Sequence, residues 1–194
     1  MFANEFTLTR QGGGSGWEGS VEVAGFIHYH NTITIPNDEN WIVQGRVDPV
    51  SGLPSSLDGR LKSGNAVDRS HASIVLRHLR ISGQVAPVST NPIPRASWVS
   101  DQFGGFGGAF EYDGGSDDPE NLAKIIFVEV VFDHNAASSL AAVDINGRGG
   151  HPGGPNPETQ TWESGIELTI SGCTFYRNYA TFSYGAVNVF DIWP

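Results

Sequence analysis

The sequence predicts an all-β chain folded as a parallel β-helix, a solenoid of about four to five coils with long inserted loops. Three observations predict it. One thirteen-residue pattern recurs three times without a gap. A side-chain amide and an alanine keep fixed places in every copy. Glycine takes 25 of 194 positions while charged residues take only 16%, against the usual ~25%. That balance suits strands and turns, and it lacks the charge of a helical bundle or coiled coil.

The three windows are IVLRHLRISGQVA (74–86), IIFVEVVFDHNAA (125–137) and LTISGCTFYRNYA (168–180). Their first and third residues are apolar: Ile74 and Leu76, Ile125 and Phe127, Leu168 and Ile170. Their sixth and eighth residues are apolar too: Leu79 and Ile81, Val130 and Phe132, Cys173 and Phe175. Alternation with period two places each pair on one face of a short strand. The change from odd to even places marks a bend, after which the second pair again faces inward. The eleventh residue is Gln84, Asn135 or Asn178, which predicts a ladder of amides inside the bend. The thirteenth is Ala86, Ala137 or Ala180, small enough for a sharp turn.

A third strand follows each window, in GAFEY (108–112), AAVDI (141–145) and GAVNV (185–189). Phe110/Tyr112, Val143/Ile145 and Val187/Val189 share its inward register, and Glu111, Asp144 and Asn188 the outward one. Three strands per repeat, stacked along an axis, bury a core that no single coil buries alone. A β-sandwich also has many short strands, but it does not require the same amide and alanine at fixed offsets.

The inserted loops are 87–105, 113–122 and 147–165, rich in Gly, Pro, Asp and Ser. A fourth, weaker copy is read at 21–33 (VEVAGFIHYHNTI). It puts Val21, Val23, Phe26 and Asn31 at places one, three, six and eleven, and His28 at an inward place. The runs ITIPNDENWIVQG (33–45) and LDG (57–59) read as strand and turn. Residues 1–20, with GGGSG at 12–16, read as a flexible or capping segment, and residues 21–194 as the β-helix domain.

LTISGCTFYRNYA followed by YGAVNV resembles the repeats of polymorphic outer-membrane and related surface proteins. Their pattern runs as an LTI strand, a CTF segment, an N-x-A bend and a GGAI strand. More broadly, most of residues 20–190 is similar to the pectin-lyase-like superfamily of right-handed β-helices. The resemblance implies a right-handed, single-stranded solenoid and favours an extracellular or cell-surface setting. The first residues, MFANEFTLTR, carry no basic segment followed by an apolar stretch, so they do not read as a secretory signal. The resemblance says little of function, because this fold hosts lyases, hydrolases, adhesins and structural proteins.

The leading candidate site is the outward set Glu111, Asp144 and Asn188, expected about 4.8 Å apart on successive coils. Two adjacent carboxylates there could share a cation, or split their pKa values for acid–base work. Superfamily enzymes that cut acidic polysaccharides place carboxylates or calcium ligands on such a sheet. Their signatures are mostly missing from this chain. Asp117-Asp118 falls in a loop, Gly150-His151 is followed by Pro152, and Arg-Ile-Lys is absent. No Arg or Lys base falls in these strands, which leaves only Arg148 to lean over from a loop.

Asp113, Asp117, Asp118 and Glu120 form a candidate calcium site, at neither the EF-hand nor the nonapeptide spacing. His28 and His30 would share one strand face, as zinc or copper needs, without an evident third ligand. Cys173 reads as a small core residue and, as the only cysteine, forms no intrachain disulfide. Trp17, Trp41, Trp98 and Trp162 lie in or beside loops, where rings stack on sugars or cover the ends of the core.

The net charge of −10 argues against a non-specific nucleic-acid binder. No run approaches the ~18 apolar residues of a membrane helix. The expected function is a non-catalytic β-helix module, a structural, adhesive or assembly element of a larger protein or complex. The alternatives are a polysaccharide lyase or hydrolase, and a calcium- or carbohydrate-binding module using the same row. A polysaccharide or protein partner is expected at the outer sheet and loops, with calcium as the one candidate cofactor. Ile192 and Trp193 are expected to cap the final coil; otherwise that end stacks on a partner or has lost further coils.

Overall fold

A computed structural model describes residues 5–10, 17–64, 70–82, 108–115, 122–137, 142–147, 165–180 and 186–190. These residues form strands and no helix. The first part of the chain supplies β1 (Glu5–Arg10), β2 (Gly19–Ala24), β3 (Phe26–Ile35), β4 (Trp41–Gly45) and β5 (Ser55–Ser63). The first repeat supplies β6 (Ile74–Arg77), β7 (Leu79–Ser82) and β8 (Phe110–Asp113). The second supplies β9 (Ala123–Val128), β10 (Val131–Asp133), β11 (Ala136–Ala137) and β12 (Val143–Asn146). The third supplies β13 (Ile166–Ser171), β14 (Thr174–Tyr176), β15 (Tyr179–Ala180) and β16 (Val187–Phe190).

A six-stranded sheet runs in the order β1-β2-β4-β6-β9-β13. An eight-stranded sheet runs β14-β10-β7-β5-β8-β12-β16, with β3 on the free edge of β5. A small sheet joins β11 to β15. Strands β1 and β2 pair antiparallel, and the other pairs are parallel. Strand β5 belongs to two arms at once. Its Ser55–Leu57 stretch pairs with β7 and its Leu61–Ser63 stretch with β8. The eight-stranded sheet therefore curls into a half-barrel around the core.

The gap-free sequence windows stack in gap-free register. Ile74 pairs with Ile125, and Ile125 with Leu168. Ile81 pairs with Phe132, and Phe132 with Phe175. Ala137 pairs with Ala180, and Val143 pairs with both Phe110 and Val187. Each apolar place thus becomes a column, and the Phe132 and Phe175 rings stack with centroids 5.0 Å apart. Gln84 and Ala86 lie outside the described residues.

The bends have a local backbone cause. The fifth place of the window holds His78, Glu129 and Gly172, at φ 51°, 52° and 62°. The tenth holds His134 and Arg177, at φ 54° and 50°. One left-handed residue breaks the two-residue alternation, so the next strand resumes with the opposite parity facing inward. This costs roughly 1–2 kcal/mol at each non-glycine, and it is offset by the burial of Leu79, Ile81, Val130 and Phe132 beyond the bends.

Two expectations are corrected. The fourth copy is shifted by one alternation. Val21 pairs with Val43, and Val43 with Leu76, so Val21 holds the third place and Gly19 the first. A side chain at Gly19 would run into the Trp41 ring, which fills that space instead. Phe26 is exposed, while Ile27 packs on the core. The LDG run at 57–59 is not a turn but the middle of β5, and Gly59 keeps ordinary strand geometry. Trp41 stands beside a loop as expected, directly after residues 36–40. It opens β4, is buried in the core, and donates its indole N–H to Glu39. Residues 5–10 form β1, an edge strand carrying exposed Glu5, Thr7, Thr9 and Arg10. Ile192 and Trp193 lie outside the described residues.

Candidate functional site

Strands β8, β12 and β16 bring the three expected residues into one row. Asp144 pairs directly with Glu111 on one side and Asn188 on the other. The row extends further than the sequence suggested, because Lys62 of β5 pairs with Glu111. Arg60 lies two residues before Lys62 on the same strand. The expectation that no Arg or Lys shares this sheet is therefore corrected. The signal for it was the alternation in LDGRLKS, which a turn at 57–59 would have interrupted.

The row is not an open, solvent-facing surface. Glu111 is only 6% exposed and Asp144 7%. One Glu111 oxygen accepts from Arg60 Nη2, and the other from Lys62 Nζ at 2.6 Å. Asn188 Nδ2 donates to Asp144 Oδ1 at 2.9 Å. Burial pushes the Asp144 carboxyl up to about 6, with Asp113 adding to the rise and Asn188, Arg60 and Lys62 opposing it. Burial also lowers Arg60 to about 10, against the pull of Asp144, so it stays protonated at neutral pH. Lys62 is lowered by burial and by the neighbouring Arg60 charge. Chemically, the row is a compact charge cluster in which both Glu111 oxygens meet cations and burial raises the Asp144 carboxyl toward neutrality.

Asp113 continues the outward face and pairs across to Asn146, whose Oδ1 is buried without a partner among the described residues. The other calcium candidates, Asp117, Asp118 and Glu120, lie outside the described residues. Among those described, no three His, Cys, Asp or Glu side chains cluster as metal ligands do. His28 and His30 lie on β3, and their side chains are not among those described. The remaining described histidines are dispersed. His71 Nδ1 meets the Gly115 carbonyl, His78 pairs with Glu129, and His134 with Asp133. Cys173 is half-buried and packs on the core from the last layer. Trp98, Arg148, His151 and Trp162 lie outside the described residues.

A second polar feature sits at the bends. Asn135 Nδ2 donates to Asn178 Oδ1 at 2.9 Å and to the Ile81 carbonyl at 3.2 Å. The Asn135 N–H donates to the same Asn178 Oδ1 at 3.1 Å. Asn178 Nδ2 repeats the pattern one layer on, donating to the Phe132 carbonyl at 3.0 Å. Each amide thus bonds to the eighth-place carbonyl of the layer before it.

No protein-family profile matches the chain. No curated protein matches it in sequence, and no solved structure matches it in fold.

Proposed function

We propose that this chain is a non-catalytic module of a right-handed parallel β-helix, serving as a structural or assembly component of a larger protein or complex. The β-helix reading is supported by columns that gain one parallel strand per repeat. It is supported too by the likeness of the windows to pectin-lyase-like repeats. The observation that carries the functional reading is the state of Glu111. Both its oxygens are held by cations and its side chain is buried, so it offers neither an open ligand site nor a free base. Arg60, buried with it, has no freedom to serve as a base.

One observation favours a second reading, a polysaccharide lyase or hydrolase. A carboxyl raised to about 6 suits a general acid, and Asp144 has that value beside Lys62. The test is cleavage of a panel of acidic polysaccharides by the intact chain, with calcium, from pH 5 to 8. Absence of cleavage is the expected result. Cleavage that Asp144→Asn abolishes would overturn the proposal and establish the enzyme.

A further inference from the structure

We draw no further inference here: the strongest candidate, the apolar surface patch on the turn that joins β4 to β5, where Val47, Val50 and Leu53 stand exposed, carries none because nothing in the structure shows what covers it.

Discussion

Replacing Asn135 by leucine removes the centre of the amide ladder with little change in volume. Asn135 is 0% exposed. Among its bonds to described residues, the change deletes two made by the side chain, to Ile81 O and Asn178 Oδ1. Each contributes about 1 kcal/mol net, and stranding the Ile81 carbonyl where water does not reach adds roughly 1–3 kcal/mol. The expected loss is about 3 kcal/mol. For a chain of this size that lowers Tm by roughly 6–12 °C. Asn178→Leu breaks three bonds, to Asn135 N, Asn135 Nδ2 and Phe132 O. It does so in the half-buried outermost layer, where water replaces part of what is lost. Its expected cost is smaller, about 1–2 kcal/mol. The assay is thermal and urea unfolding of both single variants and the double variant. The double should cost less than the sum of the singles, because the two side chains share a bond. A Tm for Asn135→Leu within one degree of wild type, or a larger loss at Asn178 than at Asn135, would refute the ladder as a source of stability.

Four further outcomes follow from the same geometry. Asp144 is raised to about 6 from an ordinary value of 3.8, so the folded state binds its proton more tightly than the unfolded state. Its contribution favours folding at low pH and is lost as pH rises from about 4 to about 6, on the order of 3 kcal/mol in all. Asp144→Asn should remove that part of the pH dependence and raise stability at pH 7 but not at pH 4, as read by urea titration at both. Glu111→Gln leaves Arg60 buried beside an uncharged partner and should cost about 3 kcal/mol in urea unfolding. Gly64 lies at φ 74°, and a Cβ there would overlap the Asp113 carbonyl. Gly64→Ala should therefore prevent stable folding, measured as loss of the cooperative thermal transition. Gly52→Ala, at φ 69° in open space, should cost only about 1 kcal/mol.

The repeat was legible because parallel stacking converts a fixed sequence offset into physical contact. Ile81, Phe132 and Phe175 need similar character because each touches the next. The Asn135–Asn178 bond was readable for the same reason. The bends were visible as a change of parity, but not their cause. Left-handed backbone at His78, Glu129, His134 and Arg177 has no reliable side-chain signature, since glycine is common there and not required. The charge cluster was half visible. Glu111 and Asp144 follow from strand alternation within one motif. Arg60 and Lys62 reach the row from β5, which carries no copy of the window, and Asp58-Gly59 resembles the turn dipeptides that favour positive φ. Burial of the row was not readable, because alternation assigns a face and not what lies over it.

Strand β5 gives the molecule a redundancy of connection. Chain continuity from β7 to β8 passes through residues 83–107, yet both strands are also clamped to the two ends of one uninterrupted β5. A single cut between Ser82 and Gly108 would therefore sever the polymer without separating the arms. The two fragments would share one core and one bridging strand, which makes this junction the natural place to divide the protein into halves that reassemble.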